Sequence, residues 1–173
     1  VAVSQPIAIS EIRRWLRVIC LKCGEVIVER EKYINFPPAK RLIEAAAVNT
    51  EGKRCLRKGC GTIHPKIVKD DGDHFTFWAE SASAKSGGKR GDKLYPDAIK
   101  SIFERVSDSA VEMLGRSLNL HPSRLILRTI SIPSNTIRPG VKSFGGAGSS
   151  YHDSTNLLQH LVKRNEQLPE QLP

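Results

Sequence analysis

The sequence predicts an α+β chain of several short helices and short strands, with a metal-binding cysteine site near its start. Three observations carry that expectation. Apolar residues recur at helical spacing in separate short stretches. Between them, β-branched and aromatic runs are interrupted by turn signals, as strands require. The four cysteines fall in two close pairs, Cys20-x2-Cys23 and Cys55-x4-Cys60, with residues 24–54 between the pairs.

Along the chain, Ile7, Ile9, Ile12, Trp15, Leu16 and Ile19 fit a helical lead-in whose first residues can be extended. Cys20-Leu21-Lys22-Cys23-Gly24 reads as a knuckle turn, followed by Val26-Ile27-Val28 as a short strand or helix. Pro37-Pro38 breaks the chain, and residues 39–48 form a short amphipathic helix. Ile63 to Val68 and Phe75 to Ala79 are two strands around the hairpin turn Asp70-Asp71-Gly72. From Pro96, apolar residues at Ala98, Ile99, Ile102, Phe103 and Val106 make a helical stripe. Ser107-Asp108 caps a second short helix that ends at Gly115. Leu125 to Ile132 is a strand, and the stretch from Ile132 to Val141, with Pro133 and Pro139, is extended. Asp153 or Ser154 caps a last helix carrying Leu157, Leu158, Leu161 and Val162.

Lysine and arginine number 27 against 18 acidic residues, a net charge of +9 that favours a polyanionic partner such as nucleic acid. A basic face covered by an acidic neighbour is the bland alternative. No apolar run reaches the ~18 residues of a membrane span. Val1 to Ser10 lacks the charged and apolar segments of a secretory signal. The start without Met and the uncapped end at Pro173 suggest a piece of a longer chain. In a reducing compartment, four cysteines indicate a metal rather than disulfides.

Two distant close pairs are the layout of a tetrahedral four-cysteine zinc site, with Cys20, Cys23, Cys55 and Cys60 as ligands. Gly24 and Gly61 follow the second cysteine of each pair, where positive φ lets backbone N–H groups face sulfur. Four thiolates around Zn²⁺ leave a formal charge of −2, which Lys22, Lys53, Arg54, Arg57 and Lys58 can offset. Such a closed site keeps no position for water and is structural. The alternatives are reduced thiols without metal, and His64 as a rival ligand; a surface or supporting place suits His64 better.

Taken in order, three stretches resemble the clamp region of the largest subunit of archaeal, eukaryotic and large-DNA-virus RNA polymerases. The first is Val18-Ile19-Cys20-Leu21-Lys22-Cys23-Gly24. The second is Gly59-Cys60-Gly61-Thr62-Ile63-His64-Pro65-Lys66-Ile67, followed by Asp71-Gly72 and Trp78. The third is Leu94-Tyr95-Pro96 with Ile99-Lys100-Ser101-Ile102-Phe103, then Arg124-Leu125-Ile126-Leu127, Ile132-Pro133 and Ile137-Arg138-Pro139-Gly140-Val141. The last helix resembles the first arm of the clamp coiled coil. The short gap between Cys55 and Cys60, Ser134-Asn135-Thr136 in place of prolines, and Gly140 in place of a serine depart from nuclear enzymes and favour a divergent or viral member.

The resemblance implies a zinc-binding clamp segment at 1–80, a flexible basic linker at 81–93 and a helix-strand clamp-core segment at 94–142. A Gly/Ser loop at 143–152 and the start of a coiled-coil helix at 153–173 complete it. It implies one structural zinc, with catalytic Mg²⁺ only elsewhere in the parent subunit, because the family's Asn-Ala-Asp-Phe-Asp-Gly-Asp loop is absent from these residues. The parent would be a nucleotidyltransferase and the segment alone inactive. Implied partners are the other polymerase subunits, especially the second-largest, template DNA and RNA, and transcription factors at the coiled coil, with no membrane. The compartment would be the nucleus for a cellular enzyme, or the host cytoplasm or virion for a viral one.

Other signals are less specific. Lys85, Lys89, Arg90 and Lys93 form a basic cluster able to meet phosphate without sequence preference, or simply a solvated loop. Residues 143–150 lack the Lys-Ser/Thr ending of a phosphate loop. Asp70-Asp71-Gly72-Asp73 reads as a hairpin tip rather than a metal site, and Arg138 suits an intramolecular contact. Two rival functions are a free-standing zinc-ribbon module binding DNA or protein, and a small nucleotide-using enzyme.

Overall fold

The computed structural model describes residues 2–73, 75–80, 91–142 and 149–171, and side chains over most of that span. The chain divides into two compact units, residues 4–127 and residues 128–173 with 1–3. The larger unit holds the apolar core. Strand β1 (Ala2–Pro6) leads into helix α1 (Ile9–Val18), whose Ile12, Trp15, Leu16 and Val18 are all buried. That i, i+3, i+4 spacing puts one stripe of the helix inward. Each such side chain contributes about 1.5–3 kcal/mol on full burial. Glu11 in the first turn favours the helix dipole. It also accepts from Arg14 at 3.1 Å and from Arg116 at 2.7 Å, linking α1 to the chain beyond helix α5 (Asp108–Met113).

Helix α2 (Arg30–Ile34) buries only Tyr33, and helix α3 (Pro38–Ala47) buries Leu42, Ala45 and Ala46. Pro38 occupies the first turn of α3, where its missing N–H costs nothing. Arg41 donates to the carbonyls of Ile34 and Phe36, each at 2.9 Å, so one guanidinium satisfies the otherwise open end of α2. Helix α4 (Pro96–Phe103) buries Ile99, Ile102 and Phe103, and α5 buries Ala110 and Val111. The Ser107 hydroxyl accepts from the Ala110 N–H at 3.3 Å, as the capping reading expects. Gly115 ends this segment at φ 74°, where a Cβ would lie 2.0 Å from the Pro38 carbonyl oxygen. Two 3-10 turns, Leu118–Leu120 and Pro122–Leu125, precede strand β5 (Ile126–Thr129), which pairs with β1.

Strands β2 (Lys66–Lys69), β3 (Phe77–Glu80) and β4 (Asp92–Leu94) form an antiparallel sheet in that order. Its register sets Ile67 opposite Ala79 and Phe77 opposite Leu94, four side chains that share the buried face. On the other face Trp78 lies opposite Lys93.

Several elements differ from the sequence reading. The β2–β3 connection is longer than the turn read at Asp70-Asp71-Gly72, because Asp70 accepts from Gly72 N–H at 3.1 Å and Asp73 from Phe75 N–H at 2.9 Å. These side-chain turns replace the tight backbone turn. Asp92 and Lys93, read as the end of a linker, belong to β4, while 81–90 lie outside the described residues. Ser134 to Arg138 form a turn inside the stretch read as extended, since Ile137 N–H bonds the Ser134 carbonyl at 3.2 Å. The smaller unit pairs β6 (Val141–Lys142) with β7 (Ser149–Ser150), so residues 149–150 of the Gly/Ser stretch are strand, while 143–148 lie outside the described residues. Helix α6 (Asp153–Gln171) lies within the 153–173 of the sequence reading, and His152, rather than Asp153 or Ser154, precedes it with Nδ1 accepting from Ser154 N–H at 3.2 Å. No helix among the described residues is long and apolar enough to cross a membrane.

Asp70 joins the loop to the sheet: it also accepts from Thr76 at 3.2 Å and pairs with Lys93 at 2.9 Å. The Lys93 ammonium, foremost, and the Gly72 N–H hold its carboxyl well below the ordinary 3.8. A depressed carboxyl stabilises the fold above 3.8, and that contribution is lost as pH falls below it. Lys93→Met should therefore raise the Asp70 titration toward 3.8, followed by its carboxyl-carbon NMR shift. An unmoved titration would mean that the loop donors alone depress it.

Candidate metal centre

The first knuckle grows directly from α1. Ile19 bridges antiparallel to Val26, Cys20 N–H donates to the Glu25 carbonyl at 2.7 Å, and Ile27 N–H donates to the Val18 carbonyl at 2.8 Å. Gly24 closes this ribbon at φ 76°, and a Cβ there would stand 2.5 Å from the Arg105 carbonyl oxygen. Both the dihedral and the close approach require glycine. The second knuckle has the same plan. Arg54 bridges to Ile63, Cys55 N–H donates to the Thr62 carbonyl at 2.9 Å, and Gly61 takes φ 56°.

The ribbons meet at their sulfurs. Cys20 Sγ lies 3.8 Å from Cys60 Sγ, and Cys23 Sγ lies 3.5 Å from Cys55 Sγ. All four ligand atoms are within 4.8 Å of one another. A tetrahedral ion with metal–sulfur bonds of ~2.3 Å has sulfur–sulfur edges of ~3.8 Å. The close pairs cross between knuckles, so the site cannot form within either ribbon alone. The separations are far beyond an S–S bond of ~2.05 Å, and all four cysteines are free thiols. Cys20 and Cys55 are buried with Ile27, while Cys23 and Cys60 are half-buried against them.

The polar surroundings also suit a thiolate set. Backbone N–H groups of Cys23 and Lys22 serve Cys20, that of Arg57 serves Cys55 and that of Thr62 serves Cys60. Burial pushes the Cys55 thiol up to about 12 and raises Cys20 as well. The Thr62 hydroxyl, 3.3 Å away, with its N–H holds Cys60 at about 6. Buried sulfurs that resist ionisation alone are the ones a divalent cation would deprotonate. The residues present thus fit a closed metal site, one able to brace the chain and without a free ligand position.

His64 does not join the sulfurs. It is 3% exposed, and its Nε2 lies 3.0 Å from the Leu16 carbonyl and 3.1 Å from that of Ile19. Carbonyls only accept, so Nε2 carries the proton and donates to both. Burial lowers the pKa of the ring and keeps it neutral. The surface alternative for His64 is therefore corrected: the residue caps the C-terminal end of α1 from the second ribbon. Its signal in the sequence was its position just after the Cys60 knuckle, which also fits a ligand.

The remaining candidates are dispersed. Lys22, Lys53, Arg54, Arg57 and Lys58 are exposed beside the cysteines. Lys93 is engaged, paired to Asp70 with its ammonium 5.6 Å from the Trp78 ring centre and 5.5 Å from that of Tyr95. Lys85, Lys89 and Arg90 lie outside the described residues. Arg138 donates to the Pro133 carbonyl at 3.0 Å and to the Thr155 hydroxyl at 3.3 Å, an intramolecular role.

Known proteins resemble this chain along its length. Residues 4–172 match the family model described as RNA polymerase Rpb1, domain 1. The DNA-directed RNA polymerase RPB1 homolog of African swine fever virus, in a South African tick isolate and in the Vero-adapted Badajoz strain, is 50% identical over 171 residues. That alignment covers 98% of this chain and 11% of each viral relative, so the chain spans about a tenth of their length. The DNA-directed RNA polymerase subunit Rpo1N of Sulfolobus acidocaldarius is 26% identical over 178 residues, covering 95% of this chain and 19% of the archaeal one.

Replacing His64 by Ala would orphan two carbonyls at the end of α1 and open a small void. Urea unfolding should register a loss of roughly 2–3 kcal/mol, with His64→Gln restoring part of it. A loss below ~0.5 kcal/mol would show that the cap contributes nothing.

Proposed function

The chain belongs to the RNA polymerase Rpb1 domain 1 family, a part of the largest polymerase subunit, and from that premise we propose that it is a clamp segment braced by one structural zinc ion. The crossed sulfur pairs at 3.5 and 3.8 Å are the observation that carries this reading. Cys20, Cys23, Cys55 and Cys60 would hold the ion and neutralise it beyond balance. The five exposed cations beside them would offset the excess charge. The metal's chemistry here is bracing: four bonds tie two chain segments that residues 24–54 separate.

In the assembled subunit this segment would help the clamp enclose DNA and RNA during transcription. Nucleotidyl transfer and its Mg²⁺ would belong to other parts of the polymerase. The other subunits, above all the second-largest, would be its partners. Leu157 and Leu161 on α6 are exposed, which supports that helix as a coiled-coil arm awaiting another helix and, beyond it, transcription factors. Identity of 50% to viral relatives against 26% to the archaeal one favours the viral branch, and with it the host cytoplasm or virion. Lys85, Lys89, Arg90 and Lys93 remain the proposed non-specific phosphate contacts. Lys93 would do so only while holding Asp70.

X-ray absorption at the zinc edge should find one ion per chain with four sulfurs at about 2.3 Å; a nitrogen or oxygen in the set would overturn the assignment. In the complete polymerase, changing Lys85, Lys89 and Arg90 to Glu should shorten the lifetime of salt-challenged complexes on DNA without moving start sites. Lys93 is left in place there, because a carboxylate beside Asp70 would disturb the sheet. Wild-type lifetimes across a salt series would make the loop a solvated surface.

A further inference from the structure

A cavity of about 280 Å³ opens beside the outer face of α1, lined by Arg13, Arg17, Asn49, Thr50, Glu51 and Lys66 among others. It lies apart from the sulfurs. Arg13 and Arg17 are one helical turn apart, so two like charges share one face, an arrangement that weakens a helix. Their neighbour Arg14 is paired with Glu11, whereas Arg13 and Arg17 have no ion pair or side-chain hydrogen bond among the described residues. Lys66 adds a third cation; its ammonium reaches Glu80 at 3.5 Å on the exposed side. Glu51 is the one carboxylate among the lining residues. Positive charge is thus gathered here beyond what the fold uses.

The polar lining is fixed to match. Asn49 Oδ1 accepts the Glu51 N–H at 3.1 Å, which leaves the amide NH₂ of Asn49 as a donor. Thr50 donates to the Arg17 carbonyl at 2.6 Å and ties the chain just before the second ribbon to the end of α1. The volume falls below the ~300–1,000 Å³ of pockets for drug-sized ligands. It suits a single tetrahedral oxyanion with water rather than a base or nucleotide.

We propose that this cavity seats one backbone phosphate of a nucleic acid, gripped by Arg13 and Arg17 with Lys66 and the Asn49 amide. Arginine forks match phosphate oxygens in pairs, and the one ring among the lining residues, His64, is buried and held on the Leu16 and Ile19 carbonyls, so it offers a base no open face to stack on. The seat therefore positions a strand without reading its sequence. The oxyanion chemistry rests on these residues alone; the choice of nucleic acid over free phosphate rests on the polymerase reading and the net charge of +9.

Binding of a fluorescent single-stranded oligonucleotide to the whole protein, measured by anisotropy across a salt series, tests the seat. Arg13→Gln with Arg17→Gln should flatten the slope of log K against log salt by about 0.7, the value of one single-strand phosphate, while Arg14→Gln keeps the slope. In the unmodified protein, amide resonances of Asn49 and Lys66 should move with oligonucleotide, and millimolar inorganic phosphate should compete. An unchanged slope in a folded double variant, or resonances that ignore the oligonucleotide, overturns the proposal. Should the double variant fail to fold, the resonance titration alone decides. Resonances that respond to inorganic phosphate only would make it a free-phosphate site and overturn the nucleic-acid assignment. Zinc content and transcription are not read in these assays, so failure of the seat leaves the clamp reading intact.

Discussion

Four sulfurs carried on two ribbons, with residues 24–54 between the cysteine pairs, must come within 4.8 Å of one another, and the larger unit is arranged around that closure. Helix α1 delivers the first ribbon without a linker, since Ile19 leaves the helix and enters the bridge to Val26. The second ribbon runs straight into β2, so closing the sulfurs also fixes the sheet relative to α1. His64 reinforces the same junction by donating to two carbonyls at the end of α1. Arg105 adds a third tie, donating to the Leu21 carbonyl at 3.0 Å while its own carbonyl packs on Gly24. Apolar burial does little here: Ile27 with Cys20 and Cys55 makes only a small cluster, and residues 52–54 and 56–59 are exposed. The main core around Trp15, Phe77 and Phe103 lies elsewhere in the unit. The proposed metal would therefore supply much of the order in the knuckles.

The excess of basic residues has two distinct uses. Arg41, Lys100, Arg105 and Arg116 spend their donors on backbone carbonyls or on Glu11 inside the fold. They satisfy helix ends and loops that would otherwise lack partners. Lys93 is held by Asp70 and two aromatic rings. Part of the net charge is thus committed within the fold, and among the described residues the cations left near one another include those exposed beside the cysteines, and Arg13 and Arg17 on α1.

Much of this was legible from residue types and spacing. The α1, α3 and α4 stripes follow from apolar periodicity, and the sulfur cluster from paired cysteines marked by Gly24 and Gly61. What escaped has physical causes. Helix α2 buries one side chain, Tyr33, so it leaves no periodic signal. Strand β4 has three residues and owes its place to pairing with β3, a long-range contact that composition cannot register. The loop at Asp70 depends on which carboxylate meets which N–H, and on Lys93 beyond an intervening strand. His64 looked like a candidate ligand because nothing in its neighbourhood along the chain marks the carbonyls of Leu16 and Ile19 as its partners.

Hydrogen exchange before and after chelation measures the role of the sulfur closure most directly. If a bound metal holds the ribbons, stripping it should release protection across residues 18–66, while the amides of 97–106 around α4, which pack on the apolar core, stay protected. Unchanged exchange at the knuckles would contradict a metal-braced site. Equal loss in both regions would contradict the separation between the metal-held junction and the apolar core.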